Sequence, residues 1–188
     1  MTVLPAGTPV DYTVTWLEMT ERPGYGYPPL PANQPASLLQ ASLPPVWYFL
    51  SLYDAVGRDY AWEDAHSRDE DELQGWLSDP KVALFTLMAQ GWPHGFFMLD
   101  GREAGTCDLA YFGMVPQAVG RGLGTWLLRT AILTAWDRPL VERLTVNTCT
   151  LDHPRALQTY QKNGFTPVRR QDFTRVLQRP RDLTRIPD

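Results

Sequence analysis

The chain is short of the features that would carry a protein into a membrane, out of the cell or onto nucleic acid. It has only two cysteines in 188 residues, Cys107 and Cys149. Both fall in runs that read as buried strands, which makes them small core hydrophobes rather than a disulfide or a ligand pair. No apolar run approaches bilayer-spanning length, and the opening MTVLPAGTPVDYTV has neither a basic leader nor an apolar segment. A cytoplasmic protein without a membrane partner is expected. Positive charge is scarce: 17 Lys and Arg against 21 Asp and Glu leave a net charge of −4, so no nucleic-acid partner is expected. No metal site is expected, and there is no internal repeat or low-complexity tract. What is present is 44% apolar residues, enough to bury the core of one domain over residues 1–188.

Hydrophobic periodicity divides the chain into short elements. Residues 11–19 alternate Tyr12, Val14 and Trp16 and read as a first strand. Residues 23–35 carry five prolines, two glycines and two tyrosines, a composition that continues neither strand nor helix. Pro44-Pro45 then opens a helix in which Val46, Phe49, Leu50, Tyr53 and Val56 share a face. A more acidic helix follows over residues 69–77. Residues 82–89, 95–99 and 106–115 read as a strand meander with turns at Gly91-Trp92-Pro93 and Asp100-Gly101. Residues 124–136 are the strongest helical stretch, with Leu127, Leu128, Ala131, Ile132 and Ala135 at spacings of three and four. A strand (144–148), a helix (155–163) closed by Gly164, and a strand over 166–170 that can extend to 177 complete the core. The tail, 178–188, is polar and offers no convincing last strand.

Chemistry concentrates between the third meander strand and the long helix, in Pro116-Gln117-Ala118-Val119-Gly120-Arg121-Gly122-Leu123-Gly124-Thr125. Alternate glycines let the backbone turn with its N–H groups inward, and the helix that follows offers unpaired N–H groups at its positive end. Such a turn cradles a phosphate, with Arg121 and Thr125 adding charge and a hydroxyl. The same glycines also suit a tight connection that serves packing alone. A Walker loop would need Lys before the Thr, and a dinucleotide fingerprint would open an early βαβ unit, so both are excluded here.

About thirty residues on, the chain reads Asp152-His153-Pro154-Arg155-Ala156-Leu157-Gln158-Thr159-Tyr160-Gln161-Lys162-Asn163-Gly164-Phe165. Together with Met114-Val115-Pro116 and the glycine loop, this Ala-x-x-x-Tyr-x-x-x-Gly-Phe helix resembles the GNAT superfamily of acetyl-coenzyme A-dependent N-acetyltransferases. The resemblance covers residues 106–168, which would form the cofactor-binding half. Residues 20–80 would supply the acceptor side.

The resemblance implies an α/β (α+β) fold with a mixed central sheet of six or seven strands, about four flanking helices, and a parallel strand pair that splays to admit coenzyme A. Phe112, Gly113 and Met114 would bond the pantetheine arm. Val119, Gly120, Arg121, Gly122, Leu123, Gly124 and Thr125 would surround the pyrophosphate. Tyr160 would contact the sulfur and protonate the departing thiolate as general acid. Two positions depart from the family pattern: Val119 stands where Arg or Gln is usual, and His153 where Asn is usual. His153 would either contact the pantetheine or cap the helix before Pro154.

The acceptor amine must lose a proton before attack, and Asp108, on the strand leading toward the cofactor, is the candidate base. The same residue could equally pair with a neighbouring strand or an Arg. Glu63 and Asp100 are weaker candidates. A bulge near Phe112 or Gly113 would free a backbone N–H for the oxyanion. Tyr25, Tyr27, Trp47, Tyr48, Tyr60 and Trp62 fall in the segments that the resemblance assigns to the acceptor side, where they form either a pocket or plain packing. The expected activity is transfer of an acetyl group from acetyl-CoA to a primary amine of a small molecule, by direct attack in a ternary complex. Two other readings stand: a non-catalytic acyl-CoA-binding regulator, and a protein or peptide N-acetyltransferase with residues 23–35 lining its groove. A homodimer is common in that family.

Overall fold

The computed structural model describes residues 3–186. Its elements, in chain order, are β1 (Val3–Leu4), β2 (Pro9–Met19), β3 (Ala36–Gln40), α1 (Val46–Gly57), α2 (Glu70–Leu77), β4 (Val82–Ala89), β5 (Trp92–Asp100), β6 (Thr106–Met114), α3 (Leu123–Trp136), β7 (Arg143–Cys149), α4 (Ala156–Lys162), β8 (Thr166–Val176) and β9 (Arg181–Asp182), with short 3-10 turns between them. Seven strands form one mixed sheet in the order β3-β4-β5-β6-β7-β2-β8. Every neighbouring pair is antiparallel except β6 and β7, which run parallel. β1 and β9 pair separately as a two-stranded ribbon.

The sheet separates two cores, and strand alternation assigns its residues between them. Phe97 and Leu99 of β5 face Leu127, Leu128, Ala131 and Ile132 of α3. Phe96 and Met98 face Phe49, Leu52, Tyr53 and Val56 of α1 and Leu73 and Trp76 of α2. The helices hold these positions for local reasons. Pro45 precedes α1 in an extended conformation. The Asp69 carboxylate accepts the backbone N–H groups of Asp71 and Glu72 at the start of α2, and Glu70, Asp71 and Glu72 place negative charge at its positive end.

Three boundaries differ from the sequence reading. Gln90 and Gly91 alone make the β4–β5 turn, with φ of 52° and 83°, the left-handed pair that suits the twist of a two-residue hairpin. Trp92 and Pro93 therefore already belong to β5. β3 lies in a stretch that gave no strand signal, and β9 lies in the tail, where none was expected.

Candidate active site

β6 and β7 pair through Thr106 with Arg143, Cys107 with Leu144 and Asp108 with Thr145, and there their pairing ends. β6 stays with β5 as far as Met114, and β7 stays with β2 as far as Cys149. The sheet forks past Asp108, which is the splay expected of the parallel pair. A cavity of about 640 Å³ occupies the fork, bordered by Leu109, Phe112, Gly113 and Met114 of β6, Asn147, Thr148 and Cys149 of β7, and Thr159 and Tyr160 of α4. Backbone groups on the opened edge of β6 have no sheet partner there, so an extended polar chain could satisfy them. The bulge in β6 falls at Ala110, between the Leu99–Leu109 and Met98–Tyr111 pairs, two residues short of its expected place near Phe112.

The glycine loop borders the same cavity through Val119, Gly120, Gly122, Gly124 and Thr125. Gly120 and Gly122 have φ of 82° and 79°, and a Cβ at either would meet nothing within 4 Å. The left-handed turn, not crowding, requires glycine at both. Gly122 is the N-cap of α3, where no side chain caps the helix and no acidic residue occupies the first turn. The first N–H groups of α3 are thus left for an anion. Two loop side chains go elsewhere. Arg121 does not border the cavity; its guanidinium donates to Gln90 Oε1 at 3.1 Å, and its carbonyl accepts from Gln34. Leu123, the first residue of α3, is buried in the core.

Tyr160 reaches the cavity from α4. Its ring is gripped edge-on by Phe112 and Phe165, with centroids 6.3 and 5.8 Å away. Burial, reinforced by the charges of Asp152 and Asp108, pushes its hydroxyl well above the ordinary value of 10.0, so it stays protonated. His153 also borders the cavity, and its Nδ1 accepts the Arg155 backbone N–H at 3.1 Å, which fixes the entry to α4. Burial, then the Arg155 charge, lowers its pKa below 6.5 and leaves the imidazole neutral at pH 7. Cys149, expected in the core, instead borders the cavity; burial, then the Asp152 charge, pushes its thiol up to about 11.

Asp108 does not border the cavity. It occupies the last paired position below the fork, where its Oδ1 accepts the Thr145 hydroxyl at 2.6 Å. Burial raises its pKa above the ordinary 3.8; the Thr145 bond works against this, and Asp100 and Glu103 add to it. Of the two weaker candidates, Glu63 is 1% exposed and accepts the backbone N–H groups of Gln178 and Arg179. Asp100 accepts from Trp76 Nε1 and Arg102. Both carboxylates are committed to structure.

The acceptor side differs most from expectation. Of the six aromatics singled out from sequence, only Tyr60 and Trp62 border the cavity; Tyr12, Tyr53 and Tyr111 complete its aromatic wall. Tyr25 and Tyr27 sit against α3, where Tyr25 stacks with Arg129 and Tyr27 donates to Asp137. Trp47 is exposed, and Tyr48 bonds Thr86. The proline-rich loop follows the tyrosines: Trp126 of α3 donates to Pro28 O, and none of residues 20–35 borders the cavity. The sequence reading also passed over Asp152, which stands beside His153 in the second motif. Its Oδ1 accepts from Trp62 Nε1 at 3.0 Å, and its Oδ2 from the Thr148 hydroxyl at 2.7 Å and the Cys149 N–H at 2.9 Å.

A mixed sheet whose one parallel pair forks beside a glycine loop and an uncapped helix N-terminus defines the class of fold. The chain belongs to the acetyltransferase (GNAT) family, whose model matches residues 49–165. No curated protein matches it in sequence. Among solved structures it is similar to a GCN5-related N-acetyltransferase from Sphaerobacter thermophilus, at 17% identity and a TM-score of 0.61, covering 95% of this chain and 54% of that one. A GCN5-related N-acetyltransferase from Kribbella flavida shares 16% identity with a TM-score of 0.56, covering 86% of this chain and 56% of that one. An aminoglycoside acetyltransferase from an uncultured soil metagenomic sample, solved in complex with trehalose, shares 14% identity with a TM-score of 0.54, covering 68% of this chain and 86% of that one. At these identities the likeness is one of fold. The chain spans between 54% and 63% of the length of the first four solved structures that it matches.

Proposed function

We propose that the chain is an N-acetyltransferase that moves the acetyl group of acetyl-CoA to a primary amine of a small molecule by direct attack. One observation carries this reading: a single cavity brings together the opened edge of β6, the uncapped N-terminus of α3 and the ring of Tyr160. The residues fit coenzyme A. Backbone groups from Leu109 to Met114 would hold the pantetheine arm, and the turn from Val119 to Thr125 the pyrophosphate, through N–H groups rather than the Arg121 side chain. The cosubstrate supplies an activated thioester.

The amine nitrogen forms the new C–N bond and the C–S bond breaks, its electron pair going to sulfur. Tyr160 gives its proton to that sulfur and is refilled by one of the two protons the nitrogen loses; the other goes to solvent. Tyr160 is in the protonated form the role needs, and its burial, which makes the proton harder to give up, calls for its return from the nitrogen in the same step. Asp108 lies below the fork, so the amine proton leaves through cavity water or a group on the acceptor side. The Cys149 thiol, held up at about 11, is a poor nucleophile at neutral pH, which favours a ternary complex over an acetyl-cysteine.

Calorimetric titration with acetyl-CoA, followed by thiol release against a panel of amines, tests the proposal. Binding with amine-dependent thiol release supports it. Binding without release on any amine would favour an acyl-CoA-binding regulator, and no binding would overturn it.

A further inference from the structure

Resting on the acetyl-transfer reading, we infer that Asp152 and the rings around Trp62 form the acceptor subsite, and that the acceptor is a compact monoamine with an aromatic or apolar body. Trp62 links the two halves of this subsite. Its indole N–H is tied to Asp152, and its ring lies 5.4 Å from that of Tyr53 and 5.5 Å from that of Tyr111. Tyr12 and Tyr60 extend the same wall. Three donors fix Asp152, yet a carboxylate accepts about four hydrogen bonds, so capacity remains for an ammonium. Aromatic faces favour the same cation.

Charge and size narrow the choice. Asp64 and Asp152 both border the cavity. Arg175 donates to Asp64 at 2.7 Å and to Ala61 O at 3.2 Å, so the charges of Asp64 and Arg175 offset one another. Asp152 is thus the carboxylate left on this wall to hold an ammonium. The cavity of about 640 Å³ must hold the pantetheine arm and acyl end of the cosubstrate as well as the acceptor, which leaves room for a small body. A multiply charged amine would bury a second ammonium that Asp152 cannot also pair.

The test compares ligands that share one body. Calorimetry with 2-phenylethylamine and 2-phenylethanol, each with and without coenzyme A, reads the subsite directly, and thiol release with 2-phenylethylamine, spermidine and kanamycin reads turnover. The expected result is at least about tenfold tighter binding of 2-phenylethylamine than of the alcohol, one charge–charge contact's worth, and its preference as acceptor by the same margin in kcat/KM. Asp152→Asn and Trp62→Leu should each raise its KM about tenfold and leave acetyl-CoA affinity unchanged. Equal binding of the amine and the alcohol would overturn the inference, as would preference for spermidine or kanamycin. Failure of acetyl-CoA to bind would instead overturn the transfer reading, while amine binding without coenzyme A still decides the subsite.

Discussion

Tyr160 and Asp108 are both carried above their ordinary pKa by burial, with opposite consequences. For Tyr160 the shift keeps a proton in place. Phe at this position retains the edge contacts with Phe112 and Phe165, so Tyr160→Phe should lower kcat by roughly 100-fold, the lower range for a general acid, and leave the acetyl-CoA Kd within about twofold by calorimetry. For Asp108 the shift is a cost. The folded state binds its proton more tightly than the unfolded chain does, so the stability this contributes is complete below the ordinary 3.8 and is lost as pH rises through the raised value. Asp108→Asn, which keeps an oxygen for the Thr145 hydroxyl, should therefore raise Tm at pH 7, and the gain should vanish near about pH 4. A thermal-melt series across pH reads both arms.

At the scale of elements, the turn into α3 is the most exacting piece. Gly122→Val forces a β-branched residue to φ of 79° and puts methyl groups where phosphate would approach. The expected result is acetyl-CoA binding weakened by at least about tenfold with strain of about 1–2 kcal/mol, read by calorimetry and thermal melting. This turn was legible from sequence because glycine spacing and the helical period of Leu127, Leu128, Ala131 and Ile132 are local signals. β3 was not: Ala36-Ser37-Leu38-Leu39-Gln40 becomes a strand only by pairing with Phe85–Ala89 of β4, a long-range condition. The aromatic wall of the cavity was hidden for the same reason. Tyr53 and Tyr111 lie on elements that the sequence identified, but they meet because α1 presses onto β6 at Gly113, where a Cβ would strike Val56 at 2.2 Å. A glycine inside a strand was the available signal. Asp152 could have been found beside His153, although its bonds to Trp62 and Thr148 could not.

Across the whole molecule, α1 and α2 on one face and α3 and α4 on the other clamp a sheet whose parallel seam is split past its first three residue pairs. A ligand held by both sides of that split should stabilise the fold as one unit. At acetyl-CoA near 100 times its Kd, linkage gives about 2.7 kcal/mol, or a rise in Tm of roughly 5–10 °C for a domain of this size, measurable by scanning calorimetry. The β1–β9 ribbon has a different consequence. It places Val3 opposite Asp182 and Leu4 opposite Arg181, so the first described residues lie one strand spacing from a segment shortly before Ile186, the last described residue, and far from the glycine loop in sequence. A short linker joining the termini, with new ends opened in the turn after Asp100, gives a circularly permuted chain that cuts none of the segments around the cavity. That permutant should fold and bind acetyl-CoA with the parent's affinity, and loss of binding would mean that chain order at the ribbon helps to set the fork.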